Sequence, residues 1–392
     1  MALPEPRIDP EDELVCLGHD EDLAAQGGAL APPIVQTSLF AQASLADLMT
    51  GFGAEHRHHV YTRGQNPTVE AVEHKLARLE GGAACKCFGS GMAAVSAVLM
   101  GLLASGDHVL FVNNTYGPTI QLAAHLRRFG VAFDVVLDLE PEAVAAALRP
   151  ETKLLWVESP GTMTFRVADL RALAALARER GITSVIDNSW ATPLYQKPLA
   201  LGIDLAVHSA TKYVGGHSDV VAGAVVGGEE LMERIFYGAF LLNGGILGPF
   251  DAWLLNRGLR TLPVRMRQHH RDALEVARFL GQHARVRQVF HPGLREDALV
   301  REQLRGYSGL FSFELDTESF EDVERFVDRL ELFRIGVSWG GVESLVITPN
   351  NGRNAASLRG RRIPPGTVRL SIGLEGAGVL IADLERALAT AP

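Results

Sequence analysis

Two short apolar segments near the middle of the chain end close to charged side chains. Residues 183–186 include β-branched members, as is typical of a buried parallel strand, and the run ends at Asp187. Residues 205–207 form a second apolar run, and Lys212 follows it closely. In open α/β sheets, ligands bind outside the carboxyl ends of the strands. The spacing therefore predicts that one acid and one lysine face the same crevice.

The residues beside this lysine restrict the functions that it could have. Ser209 and Thr211 place two hydroxyl groups next to Lys212. Pyridoxal 5′-phosphate needs such a set, because its aldehyde bonds to a lysine amine, its ring nitrogen needs a carboxylate that keeps it protonated, and its phosphate needs hydrogen-bond donors. An ordinary salt bridge between Asp187 and Lys212 is the alternative, and a short Ser-x-Thr-Lys string alone does not choose between the two.

A glycine-flanked helix start offers a place for a phosphate group. Gly91 and Met92 follow Gly89 and Ser90 and open an alanine-rich helix that we expect to reach about Leu103. Free N–H groups and the positive end of the helix dipole favour anions at such a start. The glycine spacing matches neither the dinucleotide fingerprint nor the Walker A motif, so neither a dinucleotide nor ATP is indicated.

Tyr116 is a third candidate at a strand end. It follows the strand expected over His108–Val112, so it would lie at the carboxyl edge of the sheet. An aromatic ring in that place can stack on a planar ligand. A tyrosine that packs beneath a loop is the alternative interpretation.

The order of the predicted elements indicates the fold class. Strand and helix patterns alternate across residues 84–226, which predicts a mostly parallel, doubly wound sheet. A long helix through about Leu280 then leads into a smaller C-terminal α/β domain. We expect an N-terminal arm with little regular structure at 1–60, a cofactor-binding domain at 61–257 and a C-terminal domain at 258–392. Thr68 is expected to cap a helix that runs to about Glu80.

Composition excludes several classes of protein. A formal charge of −9 argues against nucleic-acid binding, and no apolar run reaches the roughly 20 residues of a membrane helix. The three cysteines, an odd and low number, fit a reducing compartment, and the first residues lack a signal pattern, so we expect a cytoplasmic protein. Neither Cys85-Lys86-Cys87 nor the histidines of 56–59 have the spacing of a metal site.

Taken together, these motifs resemble the cysteine and methionine metabolism family of pyridoxal-phosphate enzymes, which contains cystathionine γ-synthase, cystathionine β-lyase and the γ-lyases. The resemblance covers nearly the whole chain from about residue 15. It implies an α/β fold of the fold type I, aspartate aminotransferase-like class, with a central mostly parallel sheet. The motifs occur in the family's order and are Tyr61-x-Arg63, Ser90-Gly91-Met92, Tyr116-Gly117, Asp187-Asn188, Ser209-Ala210-Thr211-Lys212, Pro249-Phe250-Asp251 through Arg260-Thr261, and Ser338-Trp339-Gly340-Gly341.

The resemblance also implies a role for each matched residue. Lys212 would hold pyridoxal 5′-phosphate covalently, Asp187 would pair with the ring nitrogen, and Tyr116 would stack on the ring. The phosphate would be bound by the amides of Gly91 and Met92 and the hydroxyls of Ser209 and Thr211.

Further implied contacts involve the substrate and a second subunit. Tyr61 and Arg63 would reach the phosphate of the neighbouring subunit, so the active site would need at least a dimer, and the family usually forms tetramers. Arg369 would bind the α-carboxylate of a small sulfur-containing amino acid as a bidentate pair, with help from Ser338.

The choice of reaction depends on a few positions. Trp339, the segment 158–164 and Val337 resemble β-lyases, which predicts cleavage of L-cystathionine to homocysteine, pyruvate and ammonia. The segment 61–68 resembles the γ-type loop and lacks a second arginine after Arg63. A γ-acting relative, such as cystathionine γ-synthase, cystathionine γ-lyase or a methionine γ-lyase-like enzyme, is therefore the alternative.

Overall fold

A computed structural model describes residues 3–18, 26–295 and 297–389. The α-helices are α1 (Pro10–Leu17), α2 (Leu45–Gly53), α3 (Pro67–Glu80), α4 (Gly91–Leu102), α5 (Gly117–Leu126), α6 (Pro141–Ala147), α7 (Leu170–Glu179), α8 (Thr192–Tyr195), α9 (Glu229–Ile235), α10 (Leu241–Asn243), α11 (Pro249–Gln282), α12 (Ala298–Gln303), α13 (Phe320–Val327), α14 (Ala355–Gly360) and α15 (Ala377–Ala389), and a π-helix (Phe236–Phe240) joins α9 to α10. The strands are β1 (Ala84–Phe88), β2 (His108–Val112), β3 (Ala132–Val136), β4 (Thr152–Glu158), β5 (Thr183–Asp187), β6 (Leu205–His208), β7 (Gly223–Gly227), β8 (Val286–Phe290), β9 (Leu310–Leu315), β10 (Arg334–Ile335), β11 (Leu345–Ile347) and β12 (Thr367–Ser371).

The strands form two sheets. The central sheet has seven strands in the order β1-β7-β6-β5-β4-β2-β3, and the second has five in the order β10-β11-β12-β9-β8. In the central sheet β3, β2, β4, β5 and β6 are parallel, and β7 runs antiparallel to both β6 and β1. The prediction of a mostly parallel sheet followed by a smaller second sheet is confirmed.

Helices cover both faces of the central sheet, which explains its apolar strands. In β2, Val109 and Phe111 pack in the cluster that contains α4, whereas Leu110 and Val112 pack in the cluster that contains α7. Successive side chains point to opposite faces, so both sets must be apolar. Continuous apolar runs therefore mark β2, β4, β5 and β6, in which polar side chains lie only near the strand ends.

The long helix α11 connects the two parts of the core. One cluster of buried side chains includes Leu76 of α3, Leu262 of α11, Phe311 of β9 and Leu384 of α15. The long helix expected before about Leu280 is thus confirmed. The division between residues 257 and 258 falls inside α11, and it remains a prediction. Within the described ranges, no helix has both the length and the apolar character needed to cross a membrane.

The N-terminal segment is more regular than expected. The prediction of little regular structure over 1–60 is wrong for α1 and α2, each of which begins with a side-chain cap. Asp9 accepts a hydrogen bond from the Glu11 amide, and Ser44 accepts one from the Asp47 amide. Such capping is local and helix-stabilising, so both starts were readable from the sequence.

The cap of α3 also differs from the expectation. The capping residue is Asn66, whose side chain accepts a hydrogen bond from the Thr68 amide. The Thr68 hydroxyl instead donates to the Pro33 carbonyl at 3.1 Å and accepts from the Val35 amide at 2.8 Å. Thr68 therefore anchors the preceding extended segment to the helix. Pro67 occupies the first helical position, where a missing N–H breaks no helical hydrogen bond.

Candidate active site

Asp187 lies at the carboxyl edge of the central sheet, as predicted. It is the last residue of β5, in register with Glu158 of β4 on one side and Val207 of β6 on the other. Its Oδ1 accepts a hydrogen bond from the Ser189 amide at 3.0 Å. Lys212 follows β6 by four residues, and the two side chains interact electrostatically. The structure therefore brings the predicted acid and lysine into one crevice.

Lys212 is held in a partly desolvated position. Its Nζ donates to Ser338 Oγ at 2.6 Å and lies 5.4 Å from the centroid of the Trp339 ring. Burial and the nearby Arg369 guanidinium lower the pKa of Lys212 from 10.5 to about 8, although the Asp187 charge opposes this change. A lower pKa favours the neutral amine, which is the form that acts as nucleophile or base.

The loop that carries Ser338 approaches Lys212 closely. Ser338 has a φ of +79°, a conformation that is uncommon for a residue with a side chain and that is often found at functional sites. A Cβ atom on Gly340, where φ is +88°, would lie 2.9 Å from the Tyr213 amide nitrogen. Only glycine fits there, and its small size lets the loop reach the lysine backbone.

Arg369 is a half-buried cation on β12. Its Nη2 donates to the Ser338 carbonyl at 3.2 Å. Partial burial lowers the pKa of Arg369 from 12.5 to about 10, so the guanidinium remains charged at neutral pH. Within the described part of the chain, no ion pair compensates this charge. A half-buried cation of this kind is suited to receive an anionic ligand.

The start of α4 lies against Ser209. Ser90 caps the helix by accepting a hydrogen bond from the Ala93 amide at 3.0 Å. A Cβ atom on Gly91 would lie 2.9 Å from Ser209 Oγ, so the absence of a side chain allows this approach. The first amides of α4, including that of Met92, are thereby placed beside a hydroxyl group, which is a suitable phosphate cradle.

Thr211 makes a different contact from the one expected. Its hydroxyl donates to the Ala222 carbonyl at 3.0 Å and accepts from the Ala222 amide at 2.9 Å. To donate to a phosphate, the hydroxyl would have to release the Ala222 carbonyl.

The other groups of the site fit pyridoxal phosphate. They are a carboxylate at a strand end, a lysine with a lowered pKa, and a cradle beside Gly91 that a larger side chain would fill.

Tyr116 is placed by a residue that the sequence analysis did not single out. Tyr116 precedes α5, its amide donates to Glu158 Oε2 at 2.7 Å, and its ring is about half exposed. It also interacts electrostatically with Arg369. Glu158 escaped notice because a glutamate at the end of one strand is unremarkable until its neighbour in the sheet is known.

Tyr61 and Arg63 lie apart from this group. The Arg63 guanidinium carbon is 5.5 Å from the centroid of the Tyr61 ring, and Tyr61 bridges to Leu39. Both side chains are exposed. Among the described residues, no hydrogen bond, ion pair or ring contact joins either one to Lys212 or Asp187. The described part of the chain also contains no group of three or more histidine, cysteine or acidic side chains that could hold a metal ion.

The sequence of nearly the whole chain is similar to known proteins. A family model described as "Cys/Met metabolism PLP-dependent enzyme" matches residues 13–389. L-methionine gamma-lyase of Pseudomonas putida is 39% identical over 379 residues, which cover 94% of this chain and 95% of the relative. Cystathionine gamma-lyase of Bacillus subtilis is 39% identical over 372 residues, covering 92% of this chain and 94% of the relative. Cystathionine beta-lyase of Lactococcus lactis subsp. cremoris is 38% identical with the same coverage.

Proposed function

Because the chain belongs to the Cys/Met metabolism family of pyridoxal-phosphate-dependent enzymes and is a carbon–sulfur lyase of fold type I, we propose that it catalyses β-elimination of L-cystathionine to homocysteine, pyruvate and ammonia. The substrate is a sulfur amino acid, in keeping with the family. The β-elimination rests on the position of Trp339 beside Lys212.

Trp339 restricts the surroundings of the lysine amine. Its ring lies 5.4 Å from Lys212 Nζ and packs against Tyr213, with 5.3 Å between ring centroids. Together with the Ser338 hydroxyl, the indole favours one position of the amine. β-Elimination needs proton removal at Cα alone, whereas γ-elimination also moves protons to and from Cβ. A confined amine therefore supports β-elimination. Val337, which is 76% exposed, offers no carboxylate for a distal ammonium group.

The side chains of the site divide the work of this reaction. When bound, pyridoxal phosphate supplies an electron sink for the charge that develops on the substrate Cα. Asp187 holds a proton at the ring nitrogen, and Tyr116 packs on the ring. Arg369 orients the substrate α-carboxylate through paired hydrogen bonds. Lys212 Nζ, held by Ser338 Oγ, removes the Cα proton and then protonates the sulfur that leaves from Cβ.

A homo-oligomer of at least two subunits, and in keeping with the family a tetramer, completes this proposal. The exposed side chains of Tyr61 and Arg63 would contribute to the site of the neighbouring subunit. Their loop lies beside an exposed apolar group, since Leu39 bridges to Tyr61 and is 60% exposed, and Leu242 on α10 is also exposed, at 76%. Such groups gain stability when another subunit covers them. We also place the enzyme in the cytoplasm, which the three free, buried cysteines support.

Product analysis tests the reaction directly. Purified, cofactor-loaded enzyme is incubated with L-cystathionine, and the oxoacids are identified and quantified. β-Elimination yields pyruvate with homocysteine, whereas γ-elimination yields 2-oxobutyrate with cysteine. Pyruvate as the main oxoacid supports the proposal, and 2-oxobutyrate as the main oxoacid contradicts it.

A γ-elimination is the second candidate function, and the relatives favour it. Two of the proteins compared above are named γ-lyases, at 39% identity over more than nine-tenths of the chain. The same lysine and arginine would serve that reaction. Parallel assays with L-methionine therefore accompany the cystathionine assay, since a methionine γ-lyase releases 2-oxobutyrate from methionine itself.

Replacing Trp339 with leucine is expected to lower kcat/KM for β-elimination of cystathionine by roughly 10- to 200-fold, the range for an altered pocket contact. The smaller side chain frees the Lys212 amine, so the share of 2-oxobutyrate should rise. Both oxoacids are measured in one reaction, after cofactor absorption confirms a loaded enzyme. Phe129→Leu, which changes an exposed aromatic side chain in the 3-10 turn after α5, serves as the control. An unchanged rate and product ratio would show that Trp339 is only structural.

Mixing two inactive variants tests whether the site is shared between subunits. Arg63→Ala should weaken cofactor retention, and Lys212→Ala should block turnover. A mixed dimer has one site with both defects and one site with neither, so mixing should restore part of the activity. Each variant taken through the same subunit-exchange procedure on its own gives the baseline activity. If subunit exchange is demonstrated by mass-tagged chains and activity does not return, the shared site is ruled out.

A further inference from the structure

Glu158 forms a pair of adjacent carboxyl groups with Asp187. The two residues end neighbouring parallel strands and are in register with each other. Adjacent strands lie about 4.8 Å apart, and both side chains are half-buried at the same edge of the sheet. Two carboxylates at this separation repel each other, so one of them retains a proton when the other ionises.

The surroundings of the pair decide which acid retains the proton. Burial and the Asp187 charge raise the pKa of Glu158 well above its ordinary value. The amides of Tyr116 and Thr162 and the charge of Arg361 oppose this rise, but they are smaller effects. Asp187 lies near Lys212, and its Oδ1 accepts the Ser189 amide hydrogen. Of the two acids, Glu158 is therefore the one whose surroundings favour the protonated form.

Glu158 also fixes the position of Tyr116. Its Oε2 accepts the Tyr116 amide hydrogen at 2.7 Å, and its backbone carbonyl accepts a hydrogen bond from Asn113 Nδ2 at 2.9 Å. Tyr116 is the N-cap residue of helix α5, and its side chain makes no capping hydrogen bond. The Glu158 side chain at the end of β4 thus anchors the loop between β2 and α5.

We propose that Glu158 is a positioning residue that acts as a neutral carboxylic acid, holding the Tyr116 backbone through Oε2 while Asp187 alone carries the negative charge of the pair. Its proton resides on the other oxygen, Oε1. A second negative charge beside Asp187 would raise the proton affinity of that carboxylate, so Asp187 would be less able to keep a proton on the ring nitrogen. A missing acceptor would release Tyr116 from its place above the ring. This role rests on the proposed contacts of Asp187 and Tyr116 with the cofactor, and it holds for either a β- or a γ-elimination.

Two substitutions separate the anchor from the charge. Glu158→Gln keeps an acceptor of the same size without a charge, whereas Glu158→Leu removes the acceptor and leaves the Tyr116 amide unsatisfied. We expect Glu158→Leu to weaken cofactor binding by about 2- to 12-fold, the range for the loss of one neutral hydrogen bond. Glu158→Gln should restore most of that loss. Cofactor dissociation constants are measured by absorption on the full enzyme, with Glu151→Gln, an exposed glutamate beside the start of the same strand, as the matched control.

Infrared spectroscopy reports the proton itself. At neutral pH the wild-type enzyme should show the band of a protonated carboxyl group, and Glu158→Gln should lack that band while Glu151→Gln retains it. These readouts do not depend on which sulfur amino acid is cleaved, so they stand even if the proposed reaction is wrong. The proposal is overturned if Glu158→Gln keeps the band, if it binds the cofactor as poorly as Glu158→Leu, or if Glu158→Leu binds like the wild type. Should the leucine variant fail to fold, the infrared comparison alone decides.

Discussion

Lys212→Ala is expected to lower kcat for cystathionine cleavage by at least about 10⁴-fold. General base catalysis alone contributes about 10²- to 10⁴-fold, and the variant also loses the covalent link to the cofactor. The loss follows from the position of this amine, which burial and Arg369 keep closer to its neutral form than an exposed lysine. Steady-state release of oxoacid measures kcat, and absorption after gel filtration shows how much cofactor is retained.

The phosphate contacts should allow the Lys212→Ala variant to bind the cofactor without the covalent bond. Lys153→Ala removes an exposed lysine on β4 and serves as the matched control, with full activity expected. Turnover by Lys212→Ala at the wild-type rate would mean that another group is the base. Loss of cofactor together with loss of fold, seen by circular dichroism, would call for the same test with Lys212→Arg.

Arg369→Ala is expected to lower kcat/KM by about 30- to 5,000-fold, because truncating one partner of a buried, hydrogen-bonded charge pair costs about 2–5 kcal/mol. On the proposed function, the partner is the substrate α-carboxylate. Arg369→Lys keeps the charge but loses the paired geometry, so it should recover only part of the activity. Arg359→Ala, which removes an exposed arginine paired with Glu318, provides the control.

The same substitution has a second readout in the cofactor-free protein. The Arg369 charge contributes to the lowered pKa of Lys212, which is about 8. Removing that charge should raise the pKa of the amine, so a higher pH is needed to obtain the neutral form. An amine-directed reagent labels the neutral form of Lys212. The pH profile of the labelling rate should therefore shift to higher pH. A profile that stays in place, with kcat/KM unchanged, would show that Arg369 does not face the site.

The resemblance of the motifs was sufficient to identify the family, the cofactor and the fold class. The β-lyase assignment and the residue roles remain proposals. Among the structural expectations, the strands that end at Asp187 and near Lys212 and the helix start at Gly91 were placed correctly. The caps of α1 and α2 were readable but missed, and at α3 Asn66 took the place expected for Thr68. The error at α3 concerns two neighbouring polar residues that can both cap a helix, whereas at α1 and α2 an extended arm was expected in place of short capped helices.

The sequence by itself determined the local features of the site. An apolar run covered by helices on both faces, a charged residue where the run stops, and a glycine at a helix start are each encoded within a few residues. Those features placed the acid, the lysine and the phosphate cradle at one edge of a parallel sheet. The tertiary structure decided the interactions among them. Ser338 meets Lys212 across 126 positions of sequence. The proposed protonation of Glu158 depends on the register of β4 against β5, since that register sets Asp187 beside it. The hydrophobic periodicity of one segment does not predict which residues of a distant segment will contact it.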